Sequence, residues 1–130
     1  FQLNKFFYKE IGKKHSWTDR LVWSDKTWID YLENSGVNTY ILKQNNELIG
    51  FFEQIFDKDK LDCEIAYFGI LEEYIGKKLG GYLLSEAIKI SFNIGSKRIW
   101  VHTCSLDHKN ALKNYLSRGM KIFKSEILNL

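Results

Sequence analysis

Hydrophobic and polar positions along this chain change between a helical period and a strand period. Residues 1–13 carry Leu3, Phe6, Phe7 and Glu10 at helical spacing, which predicts a helix. The stretch HSWTDRLVW (15–23) breaks the period and reads as an irregular aromatic connection. Ser24 then stands as the N-cap of a second helix, with Asp25 in its first turn, Trp28, Ile29 and Leu32 as its apolar stripe, and Gly36 just past its end. Strand periodicity follows in NTYILK (38–43) and ELIGFFEQIF (47–56), joined around Gln44-Asn45-Asn46, where two asparagines tolerate the positive φ of a tight hairpin turn. After the polar DKDK (57–60), LDCEIAYFGI (61–70) predicts a third strand. Helical spacing returns from Gly80 to Ile94, with Leu83, Leu84, Ala87, Ile88 and Ser91 on one side and Gly95 as a stop signal. KRIWVHTC (97–104) reads as a strand, HKNALKNYLSRG (108–119) as a short helix and MKIFKSEI (120–127) as a closing strand. Antiparallel hairpins followed by strand, helix, strand, helix, strand predict an α/β fold, a twisted mixed sheet with helices on both faces.

The chain has 130 residues, of which 45% are hydrophobic, enough for one sizeable core, so a single domain over residues 1–130 is expected. Its net charge of +3 comes from lysines scattered along the whole length. That suits anionic small ligands and lacks the dense basic face of a nucleic-acid binder. No apolar run is long enough for a membrane span and no secretory leader is evident. The two cysteines, Cys63 and Cys104, fall in separate strands and read as buried thiols in a reducing, cytoplasmic setting. His102, Cys104 and His108 lack a fourth ligand at convincing spacing, so no metal site is expected.

The stretch YIGKKLGGYLL (74–84) gathers three glycines and two lysines where a strand gives way to a helix. A helix N-terminus presents unpaired N–H groups and about half a positive charge. Gly76, Gly80 and Gly81 would let phosphate oxygens approach, and Lys77 and Lys78 flank them, which suits a pyrophosphate. A plain glycine-rich turn with two solvated lysines explains the same letters. Tyr82 and Leu83 stand where a nucleoside-triphosphatase loop requires Lys and Ser or Thr, and the dinucleotide fingerprint is absent, so neither of those chemistries is supported.

The window IGKKLG (75–80) is similar to the loop of form Q/R-x-x-G-x-G/A with which the GNAT family of N-acetyltransferases binds acetyl-coenzyme A. Ile75 stands at the Q/R position, Lys78 at the first glycine and Gly80 at the last. The resemblance runs from about Tyr40 to the C-terminus and includes HTCSLDHKNALKNYLSRGMKIFK (102–124). It implies a single-domain GNAT-like fold that lacks the family's usual first strand, since this chain opens on a helix. It also implies acetyl-coenzyme A as cosubstrate, bound along YFGIL (67–71), which includes Phe68, Gly69 and Ile70, and at Gly76, Lys77, Lys78, Leu79, Gly80 and Gly81. The acceptor would be the amine of a small molecule or peptide, and the protein a monomer or homodimer. By the same resemblance Asn110 bonds the cofactor's amide arm and Tyr115 is the general acid for the departing thiolate; core packing is the alternative for Tyr115, and satisfying its helix's first turn for Asn110. Trp17, Arg20 and Trp23 fall in the connection that borders the family's acceptor side, where Trp17 and Trp23 would clamp the substrate and Arg20 or Asp19 orient it.

Hairpin arithmetic adds a candidate base. With Lys58-Asp59 as a two-residue turn, or Asp57–Lys60 as a four-residue loop, Glu53 lies directly opposite Glu64. Two facing carboxylates raise one pKa and attract an ammonium, with Glu64 the base. A solvated strand face is the plainer alternative. The two function classes that remain are an acetyl-coenzyme A-dependent N-acetyltransferase and a non-catalytic coenzyme A-binding module of the same fold.

Overall fold

The structure is a computed structural model that describes residues 1–13 and 17–101. Two helices come first, α1 (Gln2–Gly12) and α2 (Asp25–Glu33). Strands β1 (Val37–Gln44), β2 (Glu47–Asp57) and β3 (Asp62–Ile70) follow, then helix α3 (Leu79–Asn93) and strand β4 (Arg98–Val101). The strands form one sheet in the order β1-β2-β3-β4, antiparallel except that β4 runs parallel to β3. The helix expected at 108–119, the strand at 120–127 and the end of the strand at 97–104 lie outside the described residues.

The central strand β2 is buried on both sides, and strand alternation sends its neighbouring side chains to opposite faces. Phe51 joins Phe7 and Ile11 of α1 and Leu71 on one face. Its ring stacks on that of Phe7 with centroids 5.0 Å apart. Phe52 joins Ile65 and the Leu83, Leu84 and Ala87 stripe of α3 on the other. Each such fully buried side chain stabilises the fold by roughly 1.5–3 kcal/mol. Gly69, opposite Phe51, lets α1 lie close on the sheet, because a Cβ there would come within 2.6 Å of Ile11 Cγ2.

In α1 the buried stripe is Asn4, Phe7, Tyr8 and Ile11, whereas Leu3 and Phe6 are exposed. The stripe is rotated from the one the apolar letters predict, because Asn4 and Tyr8 have polar partners inside the fold. Ser24 caps α2 as expected, its hydroxyl accepting from the Thr27 N–H at 3.2 Å.

The β1–β2 turn is the two-residue type, with Asn45 at φ 52° and Asn46 at φ 67°. The β2–β3 connection differs from expectation. Asp57 pairs with Asp62, so the loop is residues 58–61, one step later than Asp57–Lys60. The Asp57 carboxylate accepts from the N–H groups of Asp59 and Lys60 at 2.9 and 3.1 Å, and Leu61 closes the loop at φ 54°. Glu64 therefore faces Ile55, not Glu53. The register then shifts, with Gln54 facing Ile65 and Glu53 facing Tyr67, which leaves Ala66 as the extra residue of a bulge in β3. The expected Glu53–Glu64 cross-strand pair does not form; the two share a face of the sheet but stand in different rows.

Candidate active site

Where α3 begins, Lys78 is the N-cap residue, with no side-chain hydrogen bond capping the helix and no acidic residue in the first turn. Lys78 is left-handed at φ 64° and ψ 10°, and Gly76 has φ 89°. The chain thus adopts at a lysine the backbone shape that glycine usually supplies. Among the described residues, an added Cβ at Gly80 would meet only Ile70 Cγ1 outside its own helix and neighbours, at an ordinary contact distance of 3.9 Å, so their packing does not require that residue to be bare. Lys77 and Lys78 are exposed beside the positive end of the helix, an unfavourable position for cations unless an anion joins them. Tyr74, just before the loop, donates from its hydroxyl to Glu47 and lies under the Lys77 ammonium, 5.5 Å from ring centroid to Nζ.

The strand that leads to this loop carries the second part of the site. β3 pairs with β4 from Asp62↔Arg98 to Ile65↔Val101, and the bulge at Ala66 follows immediately. From there β3 continues through Phe68, Gly69 and Ile70 toward the head of α3. Phe68 and Ile70 pack toward α3, and Gly69 lies under α1. Glu64 stands at the other end, beside Trp100 of β4. Both line an open cavity of about 380 Å³ together with Asp57, Lys60, Asp62 and Arg98. The six residue steps from Glu64 to Ile70 correspond to about 20 Å of extended chain. A long ligand held at the α3 loop would need this reach to bring its far end to Glu64.

The connection between α1 and α2 turns inward at Asp19 and Arg20. Arg20 Nη1 donates to Oε1 and Oε2 of Glu53 at 2.8 and 3.1 Å. The Glu53 carboxylate also accepts from the Tyr31 hydroxyl at 2.8 Å and from Asn4 Nδ2 at 3.1 Å. Glu53 is 0% exposed and Arg20 5%. Burial opposes the Arg20 charge, but Glu53 and Tyr31 beside it together outweigh burial and raise the guanidinium pKa. Burial and the neighbouring Glu53 push the Tyr31 phenol well above the tyrosine range. Asp19 accepts from the hydroxyls of Tyr8 and Tyr67 at 2.8 and 2.9 Å, and burial and this carboxylate push up the Tyr67 phenol. The Trp17 ring meets Tyr67 edge-on at 4.8 Å, and Trp23 meets Trp28 in the same way at 4.9 Å.

The structure thus brings Arg20, Trp23 and Glu53 into one cluster, and Phe68 to Gly81 into a continuous strand-to-helix path. It leaves Glu64 at a separate cavity. Tyr8, Trp28, Tyr31, Tyr67 and Asn4 belong to the Arg20 cluster and were not legible as site residues. The available signal was the hydroxyl and amide groups that α1 and α2 turn toward the core, since a buried polar group requires a partner. Asn110 and Tyr115 lie outside the described residues, as do His102, Cys104 and His108. Cys63 is a buried free thiol whose pKa burial raises. Among the described residues no helix is long and apolar enough to cross a membrane, and no group of three metal-ligating side chains occurs.

Solved structures share this architecture. YycN of Bacillus subtilis superposes with a TM-score of 0.73 at 19% identity, over 99% of this chain and 87% of that one. A transcriptional regulator from Bacillus halodurans C-125 gives 0.77 at 13% identity, over 99% and 93%. The aminoglycoside N-acetyltransferase AAC(6')-Iy, in complex with CoA, gives 0.69 at 11% identity, over 100% and 94%. At these identities the likeness is one of fold alone. No curated protein matches the sequence. The Acetyltransferase (GNAT) family profile matches residues 3–120, from α1 to beyond β4. That span takes in the glycine loop and the strand leading to it, and the chain belongs to the GNAT family of acetyltransferases.

Proposed function

We propose that this chain is an acetyl-coenzyme A-dependent N-acetyltransferase that acts on a primary amine, of a small molecule or a peptide, by direct attack. Enzymes of the family use acetyl-coenzyme A, which supplies the activated acetyl group. The observation that carries the reading is the uncapped, lysine-flanked N-terminus of α3. Its N–H groups and Lys77 and Lys78 suit a pyrophosphate, with Gly76, Leu79, Gly80 and Gly81 giving close backbone approach. Lys78 stands where the family loop has a glycine, and its backbone is left-handed, a conformation that glycine adopts most readily.

Phe68, Gly69 and Ile70, with Asn110, would hold the pantetheine arm. Glu64 takes the proton of the incoming ammonium, directly or through water, and Tyr115 returns a proton to the departing thiolate. Trp17 and Trp23 form part of the acceptor side. The protein works in the cytoplasm as a monomer or homodimer, without metal, nucleic acid or membrane. A second reading, a coenzyme A-binding module without catalysis, draws support from Ile75 at the Q/R position.

Thiol release from acetyl-coenzyme A across a panel of primary amines tests the reading. Amine-dependent release is the expected result. Calorimetric binding of coenzyme A with no release by any amine would leave the module, and absence of binding would refute both.

A further inference from the structure

The segment 17–23 is irregular; in it Leu21 and Val22 are 54% and 87% exposed, whereas Trp17 packs on Tyr67, Trp23 packs on Trp28, and Asp19 accepts from the hydroxyls of Tyr8 and Tyr67. Its deepest tie is one guanidinium. Arg20 Cζ lies 4.3 Å from the ring centroids of Tyr31 and Tyr67, 4.6 Å from Trp23, 5.3 Å from Trp28 and 5.8 Å from Tyr8. These rings come from α1, the segment itself, α2 and β3, and the carboxylate that completes the cage, Glu53, comes from β2. A single side chain thus joins the segment to α1, α2, β2 and β3 at once. A flat guanidinium stacks on rings and forks to a carboxylate at once, which a lysine ammonium does not do. Arg20 and Glu53 neutralise each other in the interior, so neither offers its charge to a substrate.

We propose that Arg20 is a positioning residue for the acceptor side. Its guanidinium closes the cage over Glu53 and so sets where Trp17, Leu21, Val22 and Trp23 stand. The connection to amine binding rests on the N-acetyltransferase reading; the cage itself does not.

Arg20→Ala leaves a cage shaped for a small flat cation, and methylguanidinium is the probe. Titrated into Arg20→Ala, it should change tryptophan fluorescence saturably through Trp23 and Trp28, and the parent should show no such change. Chymotrypsin should cut within 17–23 faster in the variant, and methylguanidinium should slow it again. In the activity arm, KM for the amine should rise about tenfold while coenzyme A affinity stays within about twofold, with methylguanidinium restoring KM. Should Arg20→Ala fail to fold, Arg20→Lys, which keeps charge without the planar fork, should show the same protease sensitivity and KM split. If no amine is acetylated by the parent, the function fails, and the fluorescence and protease arms still decide the cage. A folded variant with parent-like cleavage and no saturable methylguanidinium binding overturns the proposal. So does a loss of coenzyme A affinity as large as the loss of amine affinity.

Discussion

Arg20 and Glu53, 33 residues apart in sequence, meet with Nη1 2.8 Å from Oε1 and almost no water around them. Removing one charge of such a pair strands the other. Glu53→Gln keeps the side chain's shape but leaves the Arg20 guanidinium uncompensated, and is expected to cost about 3–5 kcal/mol of stability in urea unfolding. A loss below about 1 kcal/mol would mean that the cage rings alone stabilise the arginine.

Alkali should unfold this region of the molecule. The Tyr8, Tyr31 and Tyr67 phenols are all raised above 10, first by burial and then, for Tyr31, by Glu53 and, for Tyr67, by Asp19. A group raised in the folded state contributes stability that is complete below its unfolded pKa and lost as pH climbs through the folded one. Stability should therefore decline above pH 10. Phenolate absorbance should show these three ionising together with loss of near-ultraviolet dichroism. Their ionisation near pH 10 with the dichroism intact would contradict the buried cluster.

Lys78→Gly should stabilise the chain. A left-handed L-residue costs about 1–2 kcal/mol, and the extra unfolded-state freedom of glycine offsets about 0.4–1 of that. A net gain of roughly 0.5–1 kcal/mol in denaturant midpoint analysis is expected, and a loss would show that the lysine side chain contributes to the folded loop.

Gly80→Val probes the ligand side of the same loop. Among the described residues a Cβ there has ordinary contact with Ile70, at 3.9 Å, so folding should change little. Coenzyme A affinity should fall more than tenfold, about 1.4 kcal/mol, in calorimetry. Parent-like affinity in the folded variant would move the pyrophosphate elsewhere.

Glu64→Gln should lower turnover about 100-fold to 10,000-fold near neutral pH, the usual range for a lost general base. Raising pH should partly restore it, because free amine becomes abundant and needs no base. A pH profile parallel to the parent's would remove Glu64 from the reaction.

Much of the architecture was legible because its causes are local. Asn45-Asn46 makes the hairpin turn through its own φ preference. Ser24 caps α2 through its own hydroxyl. The Leu83, Leu84 and Ala87 stripe and the left-handed Gly95 bound α3 by period and by backbone freedom. The loop at Gly76 to Gly81 was legible for the same reason, since a glycine-rich helix start is a property of one short stretch.

The sequence by itself determined the order of strands and helices as far as β4, the placing of helices on both faces of the sheet and the glycine- and lysine-rich head of α3, all from patterns within a few residues of chain. Only the tertiary structure decided which side chains meet across the sheet. A loop beginning one residue later, anchored by the Asp57 carboxylate, and one extra residue at Ala66 moved Glu64 opposite Ile55 and Glu53 opposite Tyr67. Register arithmetic cannot foresee such shifts, because turn closure and bulges depend on packing from both faces. Nor does any local pattern announce that Arg20 will turn inward. The desolvation of its charge is offset only when Glu53 and the rings of Tyr8, Trp28, Tyr31 and Tyr67 from other elements arrive beside Trp23, and only the folded sheet brings them there.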